Sequence, residues 1–327
     1  MKILVLHCGG TISCEERDGV LCPRASIEPY FDALCDGRFT FTHRRIEPFL
    51  SELLNGSRLS SILFEVQKAL AEKAFAGIIV THGSDTVAYT SAFLGYALGL
   101  SVIPVVTVSA DKPLSDASSS GHAAIVTAVS LIVSGGHRGV FSAWREHAHR
   151  GTRILRHRAY ENDLFSTSSV YGKCVSIAPA VGDLEKDPEY RELPDGISPL
   201  TAPLGAQCPV WHVYVTPSLT LPYALPDGCK AVILRSYHSG TVDVSNRSII
   251  RLCELCKERN IPVFVDGVGA CGDYESSLAY KALGILRAPS LISPEALYMK
   301  LWMLIENGVS PLTGAIGQPL GGDLPPL

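Results

Sequence analysis

The sequence predicts an α/β protein, with a doubly wound, mostly parallel sheet in a larger N-terminal domain and a smaller α/β domain at the C-terminus. Short apolar runs, such as residues 77–80 and 102–108, alternate with stretches that place apolar residues at helical spacing, such as residues 60–73. Strands that are continuously apolar are typical of parallel sheets covered by helices on both faces. The length of 327 residues suits two domains.

The N-terminal half begins with a predicted strand at residues 2–6, a β-branched and leucine run that ends in a Gly-Gly turn. The later elements follow from the same two patterns. They are a helix at residues 60–73, strands at 77–80 and 102–108, helices at 88–98 and 123–133, and a strand that begins at Val140. Polar loops follow the second and third strands, so polar side chains are expected at the carboxyl ends of the strands.

A polar, proline-bearing stretch divides the chain. It predicts a linker at residues 186–208, between an N-terminal domain at 1–185 and a C-terminal domain at 209–327. In the second domain the patterns predict strands at residues 231–234 and 261–265 and helices at 248–259 and 294–306. The tail from residue 314 is rich in glycine and proline, and we expect it to cover the surface.

The composition excludes several classes of protein. Hydrophobic residues make up 46% of the chain and charged residues only 18%, which excludes a disordered protein. Lys and Arg number 28 and Asp and Glu 32, so the charge gives no reason to expect a nucleic-acid partner. No apolar run is long enough for a transmembrane helix. Ten scattered cysteines and the lack of a secretory signal predict reduced thiols and a cytoplasmic location.

The candidate chemistry lies after two of the predicted strands, where parallel sheets bind their ligands. Gly10 precedes Thr11 at the first strand end, and Gly83 precedes Ser84 and Asp85 at the second. Glycines allow backbone N–H groups to approach a ligand and hold an oxyanion, and each hydroxyl is a candidate nucleophile. Ordinary turn and N-cap chemistry would explain either motif alone. The spacing matches no dinucleotide or phosphate-binding motif.

Several segments, in order along nearly the whole chain, resemble those of the bacterial-type L-asparaginase family. The first two are the motifs above, which resemble the TGGTI and HGTDT segments of that family. The others are residues 106–121, similar to VLTGSxRPLSDxxSDG; residues 138–140, similar to an RGV strand; residues 151–166, similar to GTRxxKxxTxxxDAFxS; and residues 293–301, similar to TPEAAxxKL.

The resemblance implies two α/β domains and a homodimer or dimer of dimers whose sites lie between subunits. It implies hydrolysis of the side-chain amide of an amino acid or a derivative, without metal or other cofactor. Thr11 would attack the amide, and a second hydroxyl, an aspartate and a lysine would assist. Ser84 and Asp85 stand at the first two of those positions, and Arg156 stands at the lysine position.

The departures from the family pattern concentrate on the predicted site. Arg156 can hold Asp85 as an ion pair, but an arginine cannot relay a proton as a lysine can. The flap tyrosine of the family falls near Val20 or Leu21. The remaining substrate-binding positions, by a looser alignment, are Asn55 with Gly56 at the family's Asp-Ser pair and Thr241 near its C-domain asparagine.

Clustered departures of this kind predict an altered substrate, since a pocket built to pair polar groups discriminates strongly against mismatched ones. Three interpretations stay open. The first is an amidohydrolase acting on a non-standard amino-acid amide. The second is the same scaffold catalysing amide or acyl transfer in a specialised biosynthetic pathway. The third is a non-catalytic ligand-binding protein. His82, inside the second motif, is either a packed residue that orients the loop or a general base.

Overall fold

The computed structural model describes residues 1–156, 165–167, 195–237, 239–266, 274–289 and 292–324, and of residues 155–156 and 165–167 it describes the backbone. Most of the segment that resembles the family lysine region, after Arg156, lies outside the described residues. The first part of the predicted linker, at residues 186–194, lies outside them too. The division at residues 185 and 208 therefore stays a prediction.

The N-terminal part forms a six-stranded sheet in the order β4-β1-β5-β6-β7-β8. All neighbours pair in parallel except β7 and β8, which are antiparallel. Its elements in chain order are β1 (Lys2–Gly9), β2 (Glu15–Arg17), β3 (Val20–Cys22), α1 (Glu28–Asp32), β4 (Thr40–Phe49), α2 (Gly56–Glu72), β5 (Gly77–Thr81), α3 (Val87–Leu98), β6 (Val105–Val108), α4 (Ser120–Ser134), β7 (Val140–Trp144), β8 (His147–Arg150), β9 (Ile154–Arg156) and β10 (Phe165–Thr167).

The sheet is buried on both faces. In β1, Leu4 and Leu6 belong to a hydrophobic cluster shared with α2 and α3, whereas Ile3 and Val5 belong to a second cluster shared with α1 and α4. Successive side chains of a strand point to opposite faces, so one apolar strand supplies both clusters. Helices cover both sides of a mostly parallel sheet, and the predicted α/β doubly wound class is confirmed.

The second part forms a four-stranded, fully parallel sheet in the order β11-β12-β13-β14. Helix α8 packs on α3 and joins the two parts in one hydrophobic cluster. No helix in the described ranges is long and apolar enough to cross a membrane. The elements are β11 (Val210–Tyr214), β12 (Ala231–Arg235), α5 (Arg247–Glu258), β13 (Val263–Val265), α6 (Glu275–Leu278), α7 (Tyr280–Leu283), β14 (Ile285–Arg287), α8 (Pro294–Glu306) and α9 (Leu312–Ala315).

The C-terminal tail corrects one expectation, since its described part does not simply cover the surface. Leu320 and Asp323 are fully buried. The Nζ of Lys300, on α8, donates to Asp323 Oδ2 at 2.6 Å and to the backbone oxygen of Gln318. A buried charge must be paired, and the glycines around residue 321 let the backbone turn inward to supply that partner. The tail is therefore part of the core.

Candidate active site

The two predicted motifs emerge side by side because their strands are neighbours. β1 and β5 pair in parallel, with His7 opposite Thr81. The backbone N–H of Cys8 donates to the hydroxyl of Thr81 at 3.2 Å, which ties the two carboxyl ends together. The loops that follow therefore begin at the same edge of the sheet, where parallel α/β sheets bind ligands.

Gly10 and Gly83 bring the two loops into contact. A Cβ atom on Gly10 would lie 2.2 Å from the backbone nitrogen of Gly83. Gly10 also has a φ of +80°, a backbone conformation that residues other than glycine rarely adopt. The N–H of Gly10 donates to the oxygen of Phe49 at 2.9 Å, so it is not available for an oxyanion. Both glycines therefore serve the close approach of two backbones, and a substrate contact of either one stays a prediction.

The candidate catalytic side chains lie directly after these glycines. Thr11 begins a 3-10 turn that ends at Ser13, and its side chain is half-buried. Ser84 is also half-buried, and Asp85 is exposed, in the turn that leads into α3. The contact between the glycines thus places the two hydroxyl-bearing residues on touching loops at the sheet edge. Their catalytic roles stay predictions.

Two further residues at this edge were missed by the sequence reasoning. Ser51, 4% exposed, lies so close to Gly83 that a Cβ there would stand 2.5 Å from the serine hydroxyl. Thr86 donates its hydroxyl to the backbone oxygen of Ser51 at 2.8 Å. Glu52, next to Ser51 in sequence, is exposed, and its charge acts after burial and Cys22 in raising the pKa of the Cys14 thiol to about 11. The sequence signal that could have indicated them is a hydroxyl and an acid, Ser51 and Glu52, shortly after a strand, but that strand, β4, was not predicted.

His82 is buried, and both of its ring nitrogens are occupied. Nδ1 donates to the backbone oxygen of Gly83 at 2.9 Å, because a carbonyl can only accept, and Nε2 lies 2.9 Å from the hydroxyl of Thr90. Burial lowers the pKa of His82 to about 4, so the ring is neutral at pH 7. These contacts support the interpretation that His82 orients the loop, since neither nitrogen is left to take a proton from Thr11.

Asn55 and Gly56 have structural partners. The side chain of Asn55, which is exposed, accepts from the backbone N–H of Arg58 at 3.0 Å and caps α2. A Cβ on Gly56 would lie 2.3 Å from the backbone oxygen of Gly205. A cap and a close backbone contact explain both residues without a substrate, so the predicted binding roles have no support beyond the loose alignment.

Arg156 and Thr241 lie on elements other than the two motif loops. The backbone of Arg156 lies in β9, opposite Phe165 of β10, and its side chain lies outside the described structure. Thr241 belongs to the loop after β12, where its hydroxyl lies 2.9 Å from that of Ser239. The resemblance implies that this loop serves the site of a neighbouring subunit, which stays a prediction.

The flap position is occupied by a hairpin without a hydroxyl. β2 and β3 pair in antiparallel, and Val20 and Leu21 are 59% and 43% exposed. Cys8, before the glycines, is fully enclosed, and burial raises the pKa of its thiol far above the usual range, so it packs and does not act as a nucleophile. In the described part of the chain, no three His, Cys, Asp or Glu side chains form a group that could hold a metal ion.

The sequence is similar to one family model and to several characterised relatives. A family model for the N-terminal part of asparaginases matches residues 2–186. A subunit of the glutamyl-tRNA(Gln) amidotransferase of Methanopyrus kandleri is 26% identical over 336 residues, which cover 94% of this chain and 70% of the relative. The L-asparaginase of Thermococcus kodakarensis is 24% identical over 314 residues, 93% of each protein.

Solved structures share the fold over 93% or more of the chain. The thermostable L-asparaginase from Thermococcus kodakarensis superposes with a TM-score of 0.75 and 21% identity over 100% of both chains. A probable cytoplasmic L-asparaginase from Campylobacter jejuni superposes with a TM-score of 0.70 and 19% identity, over 93% of this chain and 94% of that one. The family model spans more than half of the sequence, and this chain belongs to the asparaginase family.

Proposed function

We propose that this protein is an amidohydrolase that cleaves the side-chain amide of an amino acid or a derivative, with Thr11 as the nucleophile. The observation that carries the proposal is the contact of Gly10 with Gly83, which brings the loops of Thr11 and Ser84 together at the edge of the sheet. A hydroxyl nucleophile with a group nearby that can take its proton is a combination suited to acyl transfer. Asparaginase-family relatives act on amides by name, which supports the same chemistry.

The proton transfers distinguish this proposal from ordinary asparagine hydrolysis. Arg156 stands at the family lysine position, and a guanidinium stays protonated in proteins. It therefore supplies charge and hydrogen bonds and leaves the proton of Thr11 to another acceptor. His82 is a poor acceptor on chemical grounds, because burial lowers its pKa to about 4 and both nitrogens are engaged. We assign this step to Asp85 or to a water molecule that it holds.

The pocket lacks the polar groups that the family pattern supplies to free asparagine. The flap carries Val20 and Leu21, and Asn55 is engaged as a helix cap. Ser51 lies beside Gly83, and we assign Ser51 and its exposed sequence neighbour Glu52 to the polar end of the substrate. A polar group of the substrate that stays without a partner in the pocket costs binding free energy. A substrate with a modified carboxylate or amine therefore fits this pocket better than asparagine does.

Amide or acyl transfer on the same scaffold is the second candidate. The relative from Methanopyrus kandleri, an amidotransferase subunit by name, aligns over 94% of this chain. In that role the ammonia released at Thr11 would pass to a partner or to an acceptor and not to solvent. A homodimer or dimer of dimers, with Thr241 completing a neighbour's site, and a cytoplasmic location belong to either version of the proposal.

The test is ammonia release from asparagine, glutamine and amides with a blocked carboxylate or amine, by the wild type, Thr11→Ala and Arg156→Lys. We expect slow release from asparagine, faster release from at least one blocked amide, and loss with Thr11→Ala. Arg156→Lys should increase the asparagine reaction, since it restores a group that can move a proton. Release that persists unchanged in Thr11→Ala would refute the assigned nucleophile.

A further inference from the structure

A small cavity lies behind the loop that carries Thr11. Its volume is about 140 Å³, several times the roughly 30 Å³ that one water molecule occupies in the liquid. Gly9 and Ser13, two residues before and after Thr11, both line it. The cavity is therefore a neighbour of the candidate nucleophile, although its walls come from β1, β4 and the segment that follows the β2–β3 hairpin.

One buried hydroxyl in the wall has no partner within the protein. Ser13 is 5% exposed, and its Oγ has no hydrogen-bond partner among the described residues. The backbone of Ser13 is fixed, since its oxygen accepts from Ala25 N–H at 3.0 Å and its N–H donates to Gly10 O at 2.9 Å. A buried hydroxyl without a partner costs free energy, so its presence in a cavity wall points to a ligand that accepts its hydrogen.

The charge around the cavity is positive. Arg45 lines it but is paired with Glu28, whose carboxylate it holds through Nε at 2.8 Å. Although partial burial raises the pKa of Glu28, hydrogen bonds from Ser26 and Arg45 lower it to about 2, so that pair is neutral overall. Arg24 also lines the cavity, and no ion pair within the described ranges includes it.

The last polar group of the wall adds no charge. His7 is 6% exposed, and its Nε2 lies 2.9 Å from His43 Nδ1. Burial lowers the pKa of His7 to about 4, so its ring is neutral at pH 7. Arg24 therefore supplies the net positive charge, and Ser13 supplies a directed donor.

We propose that this cavity is a recognition site for a small oxyanion, a carboxylate or a sulfate-like group, bound by the Arg24 guanidinium and the Ser13 hydroxyl. Guanidinium groups bind such anions through paired, charge-assisted hydrogen bonds. The oxyanion belongs either to a substrate that also reaches Thr11 or to a free effector. Binding at this cavity does not depend on the assignment of Thr11 as a nucleophile.

The test measures thermal unfolding in sulfate and in acetate, against sodium chloride at equal ionic strength. We expect a saturable rise of the melting temperature in the wild type and in Arg251→Gln. Arg251 is a matched control because it is a surface arginine, paired with Glu254 at 3.2 Å. Arg24→Gln should weaken the binding about tenfold or more, as the loss of a charge-assisted hydrogen bond does.

Ser13→Ala separates binding from stability. Removing an unpartnered buried hydroxyl should leave the melting temperature of the unliganded protein unchanged or higher, while the rise caused by sulfate becomes smaller. If an amide with a blocked amine and a free carboxylate suppresses the effect of sulfate, the oxyanion is the substrate's carboxylate; if that amide leaves the effect of sulfate unchanged, it is a free effector. Either result supports the site. The proposal is overturned if the melting temperature shows no saturable rise, or if it rises equally in the wild type, Arg24→Gln and Ser13→Ala. Sulfate would then be an adventitious ion only.

Discussion

Gly10 and Gly83 touch through their backbones, and this contact holds the loops of the two candidate hydroxyls against each other. The requirement for glycine is steric at both positions, since a Cβ on Gly10 would lie 2.2 Å from Gly83 N and one on Gly83 would lie 2.5 Å from the Ser51 hydroxyl. Contacts this short cannot be relaxed without moving backbone or a buried side chain. The geometry of the site therefore depends on the steric fit of Gly10, Gly83 and Ser51.

Gly83→Ala is expected to lower the free energy of unfolding by about 1–3 kcal/mol, because the new methyl group overpacks against Ser51. The double variant with Ser51→Gly should recover much of this loss, since it removes the atoms in the way. Urea unfolding of both single variants and the double variant measures the coupling between the two positions. Additive effects, without coupling, would contradict the contact.

His82 predicts a specific dependence of stability on pH. Its pKa is about 4 in the folded protein, against 6.5 for an ordinary histidine, because burial disfavours the charged ring. Between these values the unfolded chain binds a proton that the folded protein does not, so the contribution is present above pH 6.5 and falls as the pH falls toward 4. From pH 6.5 to pH 5 this amounts to about 2 kcal/mol.

His82→Gln should remove the contribution of His82 to the pH dependence and also lower the stability at pH 7, since the bonds to Gly83 and Thr90 are lost or distorted. Urea unfolding at pH 7 and at pH 5 compares the two proteins. The stability of the variant should change less between these pH values than that of the wild type. An identical change in both proteins would mean that His82 is not held neutral by its burial.

The buried pair of Lys300 and Asp323 predicts an asymmetry between single and double replacement. Lys300→Met leaves an unpaired carboxylate in the core and should cost about 3–5 kcal/mol, whereas Lys300→Met with Asp323→Leu should cost much less. Lys68→Met is the matched control, because Lys68 is 56% exposed and 3.9 Å from Glu65, and its loss should change stability by less than about 0.5 kcal/mol. Equal losses in the single and double variants would argue against a buried charge.

The sequence predicted most of the central elements because their apolar periodicity is strong. The helix predicted at residues 294–306 matches α8, and the helix predicted at 88–98 differs from α3 by one residue. The strand predicted at 102–108 begins instead at Val105, after Pro104, and Val102 is 82% exposed. A proline has no N–H for a ladder hydrogen bond, so the apolar pattern alone overestimated this strand.

Two features that were not predicted depend on contacts distant in sequence. β4 is an edge strand with charged residues along it, and its pairing with β1 gives no apolar run. Because β4 was not predicted, its carboxyl end could not be identified as part of a ligand site, and Ser51 was not selected as a candidate. The partner of Lys300 was hidden for a similar reason, since Asp323 lies in a tail whose composition is typical of an exposed segment.

Variants of Asn55 can distinguish a structural role from a substrate-binding role, because the first changes stability and the second changes KM. Its side chain caps α2 by accepting from Arg58 N–H at 3.0 Å, so Asn55→Ala should lower the free energy of unfolding by about 1 kcal/mol. Asn55→Ser keeps a capping oxygen and should restore most of it, while KM for the best amide stays unchanged in both variants. Glu52→Gln, by contrast, should raise KM without that loss of stability, since Glu52 is exposed and is one of the two groups that we assign to the polar end of the substrate. If KM changes in the Asn55 variants and not in Glu52→Gln, Asn55 binds the substrate and Glu52 does not.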